Sequence, residues 1–328
     1  MAKKRLLSGM RSTGKLHLGN YVGALGNWIR LQDEYDCFFM VADWHAVTSE
    51  YADTSGQREL IVEIYKDWLS AGLDPKRAVL FIQSQIKQHA ELALLLGMFT
   101  PVPWLERVPT FKEQIAQLSN KDLNTYGFLG YPVLQAADII IYQASVVPVG
   151  EDQVPHLEMC RELVRRINNM YGDVFVEPQP LLSPTPKLVG TDGRKMSKSY
   201  GNCIYLSDSA GDVEKKTGVM ITDPARVRRH DLGHPEVCSV FWYHQAFNKG
   251  ETEQIAADCR SAALGCTDCK KNLAKKINRL LDPMRKRRAE LEKNPDALNE
   301  IISDGNKRAL AAAEATMRDV REKLHLWQ

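Results

Sequence analysis

Apolar residues in the first half of the chain fall into short runs separated by amphipathic stretches. Leu6 to Met10, Cys37 to Ala42 and Ala78 to Ile82 have the length and continuity of buried strands. Between the first two, Leu18, Tyr21, Val22, Leu25, Trp28 and Ile29 recur at helical spacing. Leu60, Ile61, Ile64, Trp68 and Leu69 do so before the third, with Ser55 as the candidate N-cap. Val146 to Val149 reads as a further strand and Glu151 to Asn168 as a helix. Strands that alternate with helices predict an α/β fold, a Rossmann-like parallel sheet with right-handed crossovers. Such sheets take ligands at the carboxyl ends of their strands.

The stretch from Gln83 to Phe128 has no clear period and is expected to be an insertion or an oligomer contact. Four prolines between Pro178 and Pro186 exclude a helix there and carry the chain out of the first domain. Residues 191–202, rich in Gly, Lys and Ser, read as a mobile loop. From Ser207 onward the pattern is helical. At roughly 150 residues per domain, 328 residues make about two. The expected division is residues 1–200 and a mostly helical 201–328, with 306–328 packing back on the first domain.

Lys and Arg number 43 against 41 Asp and Glu, so any nucleic-acid surface must be local. Met1 to Gly9 has no apolar h-region, and the most apolar stretch, Leu92 to Phe99, is far short of a membrane span. Seven scattered cysteines do not form a secreted disulfide framework. The expectation is a cytoplasmic, reduced protein with no membrane partner.

Two short strings carry chemistry. Thr13-Gly14-Lys15-Leu16-His17-Leu18-Gly19-Asn20 lies between the first strand and its helix, where free N–H groups meet anions. His17 can donate to a phosphate, and Gly19 leaves room for a flat base against the backbone. Alone, the string is as readily a helix start with an incidental histidine. Gly193-Arg194-Lys195-Met196-Ser197-Lys198-Ser199, with Gly190 and Gly201 around it, suits a phosphate clamp. Alone, it is as readily a solvated basic loop. In this order and separation the pair resembles the two signatures of class I aminoacyl-tRNA synthetases. The resemblance implies attack of an amino-acid carboxylate on the α-phosphate of ATP, with pyrophosphate leaving. His17, Lys195, Ser197 and Lys198 would stabilise charge, and Mg²⁺ would bridge the phosphates.

Five longer strings narrow the resemblance. They are Gly19 to Leu25, Val41 to Ala46, Tyr131 to Asp138, Val147 to Gln153 and Asp192 to Asn202. Over residues 5–205 they are similar to the tryptophanyl-tRNA synthetase family. This implies L-tryptophan, ATP and the cognate tRNA as substrates, and a homodimer joined through residues 83–128. It places the indole N–H on Asp138, and the ammonium and carboxylate of tryptophan on Tyr131 and Gln153. Leu7, Gly9, Gln135, Val147 and Val149 surround the side chain. ATP contacts fall on Arg11, Gly19, Asn20, Gly150, Asp152, Gly190 and Met196, with Lys195, Ser197 and Lys198. Gln135 and Arg11 stand where many relatives have Met and Gln, and Lys112 is a candidate for pyrophosphate.

Cys238, Cys259, Cys266 and Cys269 form C-x20-C-x6-C-x2-C, and four thiolates can hold Zn²⁺ or an iron–sulfur cluster. The pattern resembles family members with a four-iron, four-sulfur cluster in the anticodon-binding domain, which makes the cluster the expectation and structural Zn²⁺ the alternative. Cys37, Cys160 and Cys203 are isolated and read as core. Residues 270–288 carry nine Lys or Arg and one acid, Asp282, beside an apolar stripe from Leu273 to Met284. This is a helix with a basic, phosphate-contacting face, to which Arg226, Arg228 and Arg229 can add. A tyrosyl enzyme, a small-molecule nucleotidyltransferase and a non-catalytic binding relative are the competing readings.

Overall fold

The computed structural model describes residues 3–107, 124–182 and 188–327, apart from the side chains of Asp152 and Ser199. Strands β1 (Arg5–Arg11), β2 (Asp36–Ala42), β3 (Ala78–Ile82), β4 (Val146–Val149) and β5 (Gln179–Leu182) form one sheet. All are parallel, in the order β3-β2-β1-β4-β5. The order reverses between β1 and β4, where the connecting chains diverge and a crevice opens at the strand ends.

Alternation along the strands sorts two cores. Leu6, Met10, Phe39, Val41 and Leu80 pack with Trp28, Tyr65 and Trp68 on one face. Leu7, Phe38, Met40, Val79 and Phe81 pack on the other, under helices α3 (Gln88–Phe99), α4 (Tyr131–Ile140) and α5 (Val154–Tyr171). Among the helices that precede these are α1 (Asp43–Glu50) and α2 (Gln57–Ala71), and short helical turns over residues 18–31 follow β1.

Three local expectations change. Ser55 does not cap α2: Gly56 precedes that helix, and the Ser55 amide and hydroxyl donate to Asp53 Oδ1 at 3.0 and 2.7 Å. The 83–128 stretch is not irregular where described, because it holds α3 and the short helices Val102–Arg107 and Tyr126–Leu129. Buried His89, Leu92 and Leu96 mark the inner face of α3, but Leu94 and Met98 are exposed. Apolar residues all round the helix hid its period. The proline-rich stretch contributes β5, in which Pro180 lies opposite Val147. A proline is tolerated there because an edge strand needs partners on one side only. Lys112, within residues 108–123, lies outside the described residues.

The rest of the chain is largely helical: α6 (Ala210–Gly218), α7 (Ser239–Phe247), α8 (Thr252–Arg260), α9 (Cys266–Lys293) and α10 (Pro295–Lys323). Leu273, Ile277, Leu281 and Met284 of α9 enter the first core. Ala309, Ala313, Met317 and Val320 of α10 enter the second. Asn306 Oδ1 accepts from the amide of Ile82 at 2.9 Å, and Arg308 Nη1 donates to the Pro75 carbonyl at 2.7 Å. Between these anchors Gly305 lies on β3 so closely that a Cβ would run into the Leu80 carbonyl oxygen.

Gly305→Ala is therefore expected to lower stability by about 1–3 kcal/mol, through overpacking against backbone that has no room to give. Gly250→Ala, where a Cβ meets nothing within 4 Å, is the control and should change little. Chemical denaturation of both variants checks this.

Candidate active site

A cavity of about 390 Å³ opens at the strand ends where the sheet order reverses. β1 supplies Leu7, Gly9 and Arg11 to its walls, β2 supplies Met40 and Ala42, and β4 supplies Val147 and Val149. Gly150 and Gln153 follow directly after β4. Tyr131, Gln135 and Asp138, four and three residues apart, share one face of α4 and complete the lining. The eight residues assigned to tryptophan from sequence, with Arg11 and Gly150, thus surround one space.

Asp138 is 1% exposed and already well partnered. Oδ1 accepts from His89 Nδ1 at 2.6 Å and Gln83 Nε2 at 2.8 Å. Oδ2 accepts from His45 Nε2 at 2.8 Å and again from Gln83 at 2.9 Å. Burial opposes the charge, but the hydrogen bonds from His45 and His89 outweigh it and hold the carboxyl below its ordinary range. A carboxylate only accepts, so both imidazoles donate. His89 Nε2 is then free to take the Tyr142 hydroxyl at 2.8 Å. Gln135 Oε1 is the opposite case: a buried acceptor, on a residue of the same wall, with no hydrogen-bond partner. Tyr131 pairs its hydroxyl with His156 Nε2 at 2.8 Å.

Beside this cavity, the turn after β1 meets the 190–202 loop. His17 caps the short helix Leu18–Asn20: its Nδ1 accepts from the Asn20 amide at 3.3 Å, and Asn20 Oδ1 accepts from the His17 amide at 3.0 Å. Burial, then the charge of Lys198, pulls His17 down to about 4, so the ring is neutral at pH 7 with its proton on Nε2. Lys198 lies over Gly14, where a Cβ would stand 2.6 Å from its Nζ, and Gly14 has φ +144°. A Cβ on Gly19 would touch the His17 ring at 2.9 Å and Met196 Sδ at 3.4 Å. The loop is braced by Asn202, whose Oδ1 accepts from the Ser197 amide at 2.9 Å and whose Nδ2 donates to Asp192 at 2.7 Å. Gly190 leaves the space that Asn202 fills. Lys195 is exposed. The backbone of Asp152 follows Gly150, but its side chain lies outside the described residues.

The family model described as "tRNA synthetases class I (W and Y)" matches residues 2–282. A tryptophan–tRNA ligase of Thermotoga maritima is 52% identical over 98% of this chain and 99% of its own. The chain belongs to the class I tRNA synthetases for tryptophan and tyrosine. A tryptophan–tRNA ligase of Aquifex aeolicus is 44% identical over 98% of this chain and all of its own. Among solved structures, the tryptophanyl-tRNA synthetase of Campylobacter jejuni complexed with ADP and tryptophan superimposes with a TM-score of 0.87. It is 31% identical and covers 98% of this chain and 100% of its own.

In this synthetase the four C-terminal cysteines converge. Cys238 is buried and the other three are half-buried. Burial, and then the neighbouring charges of Cys238, Cys259 and Cys266, push the Cys269 thiol up to about 12. Arg226 Nη1 donates to Cys259 Sγ at 3.6 Å, and His244 Nε2 lies 3.4 Å from Cys269 Sγ. Among the described residues, no set of three His, Cys, Asp or Glu side chains is arranged to hold a metal ion. The basic helix also differs from a free phosphate-binding face. Lys276 pairs with Glu251, Arg285 with Asp282 and through Nε with the Asp208 backbone carbonyl, and Arg288 with Glu63 and Asp67. Lys271, Lys275, Arg279 and Lys286 remain exposed.

Sequence reasoning missed Gln83, His45 and His89 around Asp138. His45 stood in a quoted string, yet its partner lies 93 positions away and only the fold joins them.

Gln135→Met removes an unpartnered buried acceptor at similar volume. It is expected to stabilise the ligand-free protein by about 1 kcal/mol, seen as a higher midpoint in denaturant.

Proposed function

We propose that this chain is a tryptophan–tRNA ligase that activates L-tryptophan with ATP and passes the tryptophanyl group to its tRNA. The observation that carries this reading is the junction of two sites. An apolar cavity floored by a buried carboxylate lies directly beside a glycine turn crossed by a lysine. Identity of 44% and 52% to tryptophan–tRNA ligases over nearly the whole chain supports it.

In the first step a tryptophan carboxylate oxygen attacks the α-phosphorus. The bond from that phosphorus to the bridging oxygen breaks, and pyrophosphate leaves with the electron pair. In the second, a terminal ribose hydroxyl of tRNA attacks the acyl carbon, AMP departs, and the hydroxyl proton passes to solvent. No protein nucleophile is needed, so the protein's part is positioning and charge stabilisation. Lys198 sits over Gly14 to face the phosphates, with Lys195 and Ser197 on the same loop and Arg11 at the cavity edge. His17, neutral, donates from Nε2. Gly19, Asn20, Gly190 and Met196 enclose the adenine, and Gly150 and Asp152 take the ribose. Mg²⁺ is carried on the nucleotide's own phosphates.

Leu7, Gly9, Val147 and Val149 hold the indole. Asp138 takes its N–H alongside, or in exchange for, the bond from His45. Tyr131 and Gln153 hold the α-ammonium and carboxylate, with Gln135 Oε1 as a further acceptor. Asp138 therefore serves as one end of a polar network rather than as a lone acceptor.

Residues 1–200 form the catalytic domain and 201–328 the tRNA-binding helical domain. Exposed Leu94, Met98, Val102 and Tyr126 suit the homodimer contact. No helix among the described residues is long and apolar enough to cross a membrane, and a cytoplasmic protein is the fitting assignment. The four cysteines suit a four-iron, four-sulfur cluster, with structural Zn²⁺ second. Burial and the neighbouring cysteine charges raise the Cys259 and Cys269 thiols, and a cationic centre would offset that cost.

Pyrophosphate exchange into ATP should depend on tryptophan and not on tyrosine; exchange with tyrosine alone would falsify the pocket assignment. Burial lowers Lys198 to about 8, with nearby Cys203 and Glu50 opposing and Arg11 reinforcing the shift. The ammonium is present below that pH and lost above it, so kcat/KM for ATP should fall as pH rises through about 8. Lys198→Arg should move this limb to higher pH. His17, already neutral, should add no acid limb between pH 6 and 8.

A further inference from the structure

Asp67 on α2 is 2% exposed and belongs to none of the residues assigned to substrate. A lone carboxylate buried this deeply is costly, and an apolar side chain would fill the place with less penalty. Its two oxygens reach different parts of the molecule. Oδ2 accepts from the amide of Leu16, the residue before His17, at 3.2 Å. Oδ1 accepts from Arg288 Nη1 on α9 at 2.7 Å. Arg288 is itself held, since Nη2 donates to Glu63 Oε2 at 2.5 Å and Nε to Glu292 at 3.1 Å. The neighbouring Arg287 donates to the Ser70 carbonyl at 2.6 Å. Arg288 thus directs one charge of the basic helix inward, toward the residue that holds the Leu16 amide.

The turn is also tied by the His17–Asn20 cap, by an ion pair of Lys15 with Glu63 at 3.9 Å and by backbone bonds to residues 204–206. Leu16 O accepts from Leu206 at 3.0 Å, and the Leu18 amide donates to Ile204 at 2.9 Å. Asp67 is the side chain that fixes the Leu16 amide, one residue from the histidine that faces the phosphates. Its charge also acts on Lys198 across the turn. Burial pushes the Asp67 carboxyl up to about 6, with Arg288 and the Leu16 amide opposing, so its ionised form depends on Arg288.

We infer that Asp67, held by Arg288, is a positioning residue for ATP that ties the helical region of the chain to the His17 turn. This rests on the reading of that turn as the ATP site. Loss of Asp67 frees the Leu16 amide and takes one of Arg288's carboxylate partners, and loss of Arg288 takes the guanidinium that holds buried Asp67, so the two act as a unit.

The test is a double-mutant cycle on Asp67→Asn and Arg288→Gln in the full chain. ATP affinity is measured by calorimetry, and KM and kcat are measured in tryptophan-dependent exchange. Each single variant is expected to lose about tenfold in ATP affinity or kcat/KM for ATP, with KM for tryptophan in place. The double variant should lose no more than the worse single. Arg288→Lys, which keeps the charge but not the fork, should recover part of the loss. Losses that multiply in the double variant would overturn the proposal. So would folded variants with unchanged ATP affinity, or variants in which stability falls and ATP and tryptophan parameters decline together. If the unaltered protein shows no exchange, the ligase reading fails, while the calorimetric ATP affinities still decide the role of Asp67.

Discussion

A five-stranded parallel sheet has to be covered on both faces, and that requirement organises the whole molecule. The strands β2 and β3 are almost wholly apolar and buried, so neither face can meet water there. Helices between the strands cover much of it. The remainder is covered by two long helices from the far end of the chain, α9 on one core and α10 on the other. The first 200 residues thus close their core with residues that follow them by a hundred positions. The helical region is part of the packing that holds the strand ends, and the strand ends carry the site.

The site itself is a problem in buried charge. Two carboxylates, Asp138 and Asp67, lie within a few per cent of full burial on opposite sides of β1, each solved differently. Asp138 is held by the ring N–H groups of two imidazoles and by a side-chain amide, with no Lys or Arg among its hydrogen-bond partners. Asp67 is held by a guanidinium and one backbone amide. The first arrangement keeps a carboxylate at the wall of a largely apolar cavity. The second suits a strut, because an ion pair with Arg288 joins two helices while its other oxygen steadies a loop.

Cationic residues follow the same division. Lys198 lies over a glycine turn at an intermediate burial that depresses its pKa but leaves it mostly charged at pH 7. Along α9 the basic residues separate into those spent on internal partners and those left exposed. Lys271, Lys275, Arg279 and Lys286 are among those left exposed, where a polyanion can reach them.

Strand positions and the two strings rich in Gly and Lys were legible in the chain itself, and the residues that the resemblance assigned to tryptophan line one cavity. Short apolar runs and glycine placement are local properties, and the strings have characteristic residues at characteristic separations. Local pattern was silent where apolar residues encircle a helix, as in α3, and where a proline strand lies at a sheet edge, as in β5. It was equally silent about partners. Nothing near His45, His89 or Gln83 marks them as the donors that complete Asp138, and nothing in the run of basic residues on α9 reveals that Arg288 turns inward. Sequence determined which side chains are present and the spacing that lets Tyr131, Gln135 and Asp138 share a helix face. Tertiary structure alone decided which polar groups are buried together, because burial and pairing depend on what other elements bring to the same few ångströms.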